Sequence, residues 1–232
     1  MAAGWALGRI GDRSAIPALR EMLVSEYALL RSRSARSLAN LGDTASVPLL
    51  VKAFKTEPHD SIRVAYASTL GVFRAVAALD ELLILLRRLP EDALRNEVAL
   101  AIARLIGGEN HYIRLWRATR WDFGTAGAQA ALDLKEKVPR LALVLPLDDS
   151  LLDDVSQHLA GQDLDLAALA MYRLLEDLAR AQWEPNLHKV LLECALKLHE
   201  CKGDRREYFI LAFTALEAGM VRMRRRKEHG QD

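Results

Sequence analysis

Four side chains near the end of the sequence are of the types that bind zinc. They are His188, Cys194, His199 and Cys201, and the sequence predicts that all four lie in one helix. A helix turns about 100° per residue, so the two histidines lie on one face and the two cysteines on another, about 220° away. The histidines are also separated by about 16 Å along the helix axis. Four ligands at about 2.0 to 2.3 Å from one ion do not fit this arrangement. We therefore predict neither a metal site nor another cofactor.

Nucleophilic catalysis is not favoured either. Cys194 and Cys201 lie among leucines and outside any recognisable nucleophile motif, which predicts buried core cysteines. Two cysteines are too few for a disulfide framework and are consistent with a reducing compartment. The pair Gly107-Gly108 does not follow a predicted strand, as a phosphate-binding loop requires. We therefore predict a binding role and no catalytic residue.

A set of basic side chains with one tryptophan forms the candidate interaction surface. Its members lie at predicted second-helix or nearby positions: Arg20, Lys52, Lys55, Arg87, Arg88, Arg117, Arg120 and Trp116. A row of cations can contact phosphates, and an indole can stack on a base. Acidic residues such as Glu21, Glu57 and Glu81 interrupt the row. We therefore favour a protein partner and keep nucleic acid as an alternative.

The composition restricts the protein class. The 232 residues are 51% apolar and 27% charged, with a formal net charge of +1. The apolar fraction is too high for a disordered chain, and the balanced charge gives no bulk affinity for nucleic acid. Uninterrupted apolar runs fall short of the roughly 18 to 20 residues that cross a bilayer. We predict a cytoplasmic chain without a transmembrane segment.

The elements that carry the candidate residues repeat along the chain. The pattern Leu-Gly-x-Ile-Gly-Asp-x-x-x-Ile-Pro at 7–17 recurs as Leu-Ala-Asn-Leu-Gly-Asp-x-x-x-Val-Pro at 38–48, a step of 31 residues (48 minus 17). Degenerate third and fourth copies follow at steps of 32, which carry Leu38 to Leu70 and Leu70 to Ile102. A repeat of this length indicates stacked supersecondary units that bury their apolar faces against each other.

Each unit is predicted to contain two helices. Glycine at Gly11 and Gly42 ends the first helix in a left-handed conformation, and the following Asp12 or Asp43 caps the next helix. Proline in the first turn of the second helix costs little there. We predict an all-α fold, a right-handed α-solenoid of about four helix pairs. Three arginines spaced 32 residues apart, Arg31, Arg63 and Arg95, are predicted to form a structural ladder with carboxylates or helix ends of adjacent units.

The patterns at 7–17 and 38–48 resemble the HEAT-like repeats first described in phycobilisome lyases. The resemblance covers about residues 1–120 and implies an α-solenoid. Proteins with such repeats include bilin lyases, a hydroxylase of lysine-derived residues, scaffolds, and fusions to transporters or signalling domains. The hydroxylase uses several His-Glu pairs for iron, whereas this sequence has only His199-Glu200, outside the recognisable repeats. The resemblance therefore does not predict that activity here.

The repeat pattern stops in the second half of the chain. We assign residues 1–138 to the solenoid and residues 139–232 to helical hairpins that cap or continue it. Helices are predicted at 128–137, 149–160, 163–182, 186–201 and 204–227. Because the first repeat is short, we expect the chain to be the C-terminal part of a longer protein.

These observations favour a non-catalytic protein–protein interaction scaffold, whose partner is another protein or another domain of its parent protein. Three alternatives stay open. The first is a bilin lyase-like subunit or chaperone, for which His111, Tyr112 and Trp116 are the only distinctive residues. The second is the cytoplasmic domain of a transporter-like membrane protein, with peripheral contact between Arg222–Lys227 and anionic lipid. The third is a nucleic-acid-binding solenoid.

Overall fold

The computed structural model describes residues 10–90, 92–119, 178, 183–200 and 206–230, and every regular element in these ranges is helical. The α-helices are α1 (Ile16–Met22), α2 (Ala28–Asn40), α3 (Val47–Thr56), α4 (Asp60–Val72), α5 (Leu79–Arg88), α6 (Asp92–Leu105), α7 (Glu109–Thr119), α8 (Pro185–Glu200) and α9 (Arg206–Glu228). The chain divides into two compact units, unit 1 (Met1–Gly107) and unit 2 (Gly108–Asp232). The predicted boundary between 138 and 139 lies outside the described residues.

The turn between the two helices of a repeat has the same form in three successive copies. A short 3₁₀ helix precedes α1, α3 and α5, at Arg13–Ala15, Thr44–Ser46 and Val76–Ala78. Two residues before each 3₁₀ helix begins, the backbone adopts a left-handed conformation. This residue is Gly11 (φ 82°), Gly42 (φ 65°) or, in the degenerate third copy, Arg74 (φ 51°). The predicted left-handed turn is therefore confirmed, and it persists where glycine has been replaced.

The proline and aspartate residues of this turn have the predicted roles in all cases except Asp43. Proline occupies the first turn of both α1 and α3, as predicted. The Asp12 carboxylate accepts a hydrogen bond from the backbone amide of Ser14 at 2.9 Å, which confirms its capping role. The prediction that Asp43 caps the next helix is wrong, because its carboxylate accepts no helix amide. It turns instead towards the guanidinium of Arg20 and the hydroxyl of Ser46.

The core of unit 1 follows the repeat period. Equivalent positions of successive repeats are fully buried: Leu19, Leu50 and Leu82 in the second helices, and Leu38, Leu70 and Ile102 in the first helices. Each such side chain contributes about 2 kcal/mol relative to an exposed one. The aligned residues therefore form a continuous apolar core, in agreement with the predicted stacking of units.

Small residues let the first helices approach each other closely. Helix α4 contacts α2 on one side and α6 on the other, while α1, α3 and α5 pack on α2, α4 and α6 respectively. A Cβ at Gly71 would lie 2.8 Å from both the Cα and the carbonyl oxygen of Ala101. Ala65 and Ala67 of α4 are also buried. These small residues account for the close approach, and unit 1 is an α-solenoid of helix pairs.

Unit 2 contains three described helices. Both α7 and α8 pack on α9. Helices α8 and α9 confirm the elements predicted at 186–201 and 204–227, whereas those predicted at 128–137, 149–160 and 163–182 lie outside the described residues apart from Leu178. The indole of Trp183 packs on Gly219, where an added Cβ would lie 2.0 Å from Cζ2. No helix within the described ranges combines the length and apolar character that crossing a bilayer requires.

Candidate interaction surface

Arg20, a member of the predicted basic surface, lies on α1 and contacts the next repeat. Its Nε donates to Asp43 Oδ2 at 2.9 Å and its Nη2 donates to Oδ1 at 2.7 Å. Burial of Asp43 opposes ionisation, but the hydrogen bonds from Arg20 and Ser46 outweigh it and lower the pKa of the carboxyl. The pair is therefore a charged link between successive repeats.

Two further members of the predicted surface also lie beside carboxylates of neighbouring elements. Lys55 Nζ of α3 lies 3.2 Å from Glu81 Oε1 of α5. The guanidinium of Arg88, at the end of α5, contacts the carboxylate of Asp60 at the start of α4. Both acids are about one repeat away along the chain. One of the acidic residues that interrupt the basic row in sequence, Glu81, is thus the partner of one of its cations in space.

Lys52 of α3 and Arg87 of α5 are exposed. Each is accompanied one helical turn earlier by an exposed apolar side chain, Leu49 and Ile84, which are 44% and 50% exposed. We call the exposed side of α3 and α5 the second-helix face; it consists of Leu49, Lys52, Lys55, Ile84 and Arg87.

Sequence reasoning missed the two apolar members of this face. A signal for them existed. Leu49 is adjacent to Leu50, and Ile84 lies between Leu83 and Leu85. Consecutive apolar residues on a helix cannot all point to one core, so some of them must be exposed or must contact another surface.

The remaining candidates belong to unit 2 or lie outside the described residues. Arg117 on α7 is exposed and Trp116 beside it is half-buried. Arg120 lies outside the described residues. The structure therefore places Trp116 and Arg117 next to each other on one helix of unit 2.

Two members of the predicted arginine ladder, Arg31 and Arg63, contact the connection between two repeats. Arg31 donates from Nε to Glu57 Oε2 at 2.7 Å and from Nη2 to Oε1 at 2.9 Å. Its Nη1 donates to the backbone carbonyls of Ser25 and Glu26. In the next repeat, Arg63 donates to the backbone carbonyl of Glu57. One residue of the connection between repeats thus holds both arginines, as a stacking role requires.

A buried carboxylate joins two helices of unit 2. Glu217 of α9 lies 2.7 Å from His111 Nδ1 and 3.0 Å from Arg114 Nη2, both on α7. Neighbouring Tyr112 is buried, and burial, with the nearby charge of Glu207, raises the pKa of its phenol. These contacts hold α7 against α9.

The cysteine and histidine residues considered for metal binding in the sequence do not form a metal site within the described residues. Cys194 is fully buried, and burial raises the pKa of its thiol, with a further contribution from the charge of Glu193. Burial lowers the pKa of the His188 imidazole. Cys201 lies outside the described residues. Among those that are described, no group of three or more His, Cys, Asp or Glu side chains is arranged to hold a metal ion.

Comparison with known proteins identifies the repeats. Residues 1–71 and 23–103 match the family described as HEAT repeats. No curated protein matches the chain. No solved structure matches it either. The family match agrees with the stacked helix pairs of unit 1. It indicates HEAT repeats in general and no particular subgroup of them. The matched part of this chain, residues 1–103, therefore carries HEAT repeats, and the part of the chain that the structure describes is all-α.

Proposed function

We propose that this chain is a non-catalytic, cytoplasmic scaffold that binds a partner protein through the second-helix face of unit 1. The observation that carries the proposal is the exposure of Leu49 and Ile84 on helices whose other sides are buried. Helical repeats offer extended surfaces for binding, and each repeat adds to the same surface.

The composition of the face supports a protein partner. Exposed apolar side chains bordered by cations, here Lys52 and Arg87, are typical of the centre and rim of a protein interface. Burial of Leu49 and Ile84 against a partner would contribute about 1 kcal/mol each, because about half of each side chain is still exposed.

The ion pairs of unit 1 argue against nucleic acid as the partner. Phosphate binding would draw on Arg20, Lys55 and Arg88, and each of them already contacts a carboxylate of its own unit. Phosphates would have to compete with these carboxylates and would be repelled by them. The local surface is therefore less basic than the row of cations in the sequence indicates.

The test is affinity capture of the tagged full chain from its native cells at low and high salt. We compare the wild type with L49E/I84E, which places charges on the second-helix face. The matched control is V24E/L29E, which changes two other exposed apolar positions of unit 1. We expect a stoichiometric protein partner with the wild type and the control at both salt concentrations, and at least tenfold less of it with L49E/I84E.

Two results would contradict the proposal. Equal recovery of the partner with both variants would show that the second-helix face is not the binding surface. Recovery of nucleic acid that is lost steeply at high salt would favour the nucleic-acid alternative. Circular dichroism of each variant verifies that it is folded.

A further inference from the structure

The last turns of α9 concentrate positive charge. Five of the six residues from 222 to 227 are basic: Arg222, Arg224, Arg225, Arg226 and Lys227. The negative end of a helix dipole favours a cation in the last turn. Five cations in this space also repel one another, so the dipole alone does not account for the cluster.

One carboxylate holds two of these cations. Arg226 contacts Glu184, the residue before α8, and Arg222 Nη1 lies 3.7 Å from Glu184 Oε2. The Glu184 side chain is only 14% exposed. Because Arg222 and Arg226 are one turn apart, both point to the same side of α9. Arg224 and Arg225 are also exposed, and Arg224 lies on the opposite side of the helix from this pair.

The same segment also carries partly exposed apolar groups. Val221 is 39% exposed, and Met220 and Met223 are partly exposed. We call the segment Met220–Lys227 the basic end of α9. A helix that mixes cations with exposed apolar side chains fits the interface of an anionic bilayer, where both kinds of group are favourable.

We propose that the basic end of α9 binds the surface of an anionic phospholipid bilayer, and that Glu184 weakens this binding by neutralising part of its charge. Residues 220–230 contain no Ser, Thr, Asn or Gln, side chains that commonly supply further contacts to nucleic acid. Lipid therefore fits the segment better than nucleic acid does. This inference concerns unit 2 and does not depend on the protein partner of unit 1.

The test is co-sedimentation of the full chain with vesicles of phosphatidylcholine containing 30% phosphatidylserine, and with pure phosphatidylcholine vesicles. We expect binding only to the anionic vesicles. A cation at such a surface strengthens binding about fivefold, so R224Q/R225Q weakens it about 30-fold. The control R33Q/R36Q removes the same charge from α2 in unit 1 and leaves binding unchanged.

A second variant tests the role of Glu184. We expect E184Q to strengthen binding to the anionic vesicles about fivefold, because it removes one negative charge beside the basic end. A structural defect would weaken binding, so the direction of the change is informative.

The proposal is overturned if the wild type does not distinguish the two kinds of vesicle, or if R224Q/R225Q and R33Q/R36Q bind equally. It is also overturned if E184Q weakens binding. Release of the protein from the vesicles by duplex DNA at equal phosphate concentration would assign the segment to nucleic acid instead.

Discussion

Replacement of Glu57 by Gln is expected to destabilise unit 1 substantially. The Glu57 side chain is 2% exposed and the Arg31 side chain 13%. The carboxylate accepts two hydrogen bonds from Arg31 and one from the amide of His59 at 3.1 Å. Gln has nearly the same shape, but it leaves the largely buried guanidinium without a counter-charge. Breaking one partner of a buried pair costs about 3 kcal/mol.

The effect is expected to depend on pH. Burial of Glu57 opposes ionisation, but the hydrogen bonds from Arg31 and the His59 amide outweigh it and lower the pKa of the carboxyl below 4.5. A carboxyl with a lowered pKa in the folded state stabilises the protein above its unfolded pKa. That contribution is lost as the pH falls through the folded pKa. The difference in unfolding free energy between wild type and E57Q is therefore larger at pH 7 than at pH 3.

The assay is urea unfolding of the full chain, followed by circular dichroism at 222 nm at both pH values. The matched control is E26Q, because Glu26 is an exposed glutamate in the connection between α1 and α2. A surface substitution of this kind changes stability by less than about 0.5 kcal/mol. Equal stability of E57Q and E26Q at pH 7, or an equal loss of stability for E57Q at pH 7 and pH 3, would contradict this expectation.

Two further substitutions test the packing and the turns of the repeats by the same urea assay. G71A is expected to lower the unfolding free energy by about 2 kcal/mol, because a Cβ there meets the backbone of Ala101 at 2.8 Å and α4 must move away from α6. Unchanged stability would show that the two helices can separate freely. R74G is expected to raise the unfolding free energy by about 0.5 kcal/mol. Arg74 has φ 51°, and glycine removes the strain of this conformation. This gain exceeds the cost of the greater backbone entropy that glycine gives the unfolded chain. A lower urea midpoint for R74G would contradict this account.

Local patterns were sufficient to predict the repeats. The left-handed turn at Gly42 and the proline in the first turn of α3 depend only on nearby backbone conformation. Because each repeat uses the same turn, equal spacing also placed Leu50 and Leu82 at equivalent positions of the core. The arginine ladder was predicted for a related reason, since an equal spacing of arginines in stacked units places each at the same point of its repeat.

The partners of several charged side chains could not be predicted from local patterns. Asp43 was expected to cap a helix, but it contacts Arg20, 23 residues earlier in the chain. The candidate basic surface of unit 1 was predicted as a row of cations, and the structure places Lys55 beside Glu81. These contacts form only after neighbouring repeats have stacked, so no local signal reports them.

The repeat, the helix pairs and the apolar core of unit 1 could therefore be predicted from residue order, because these depend on short-range geometry repeated at a constant period. Which carboxylate pairs with which cation, and which apolar groups stay exposed, follow from the packing of the helices. Leu49 is exposed while the adjacent Leu50 is buried. In unit 2, Arg114 contacts Glu217 across 103 residues of chain. Such contacts depend on how helices pack together, and helix packing brings residues together without regard to their distance in sequence.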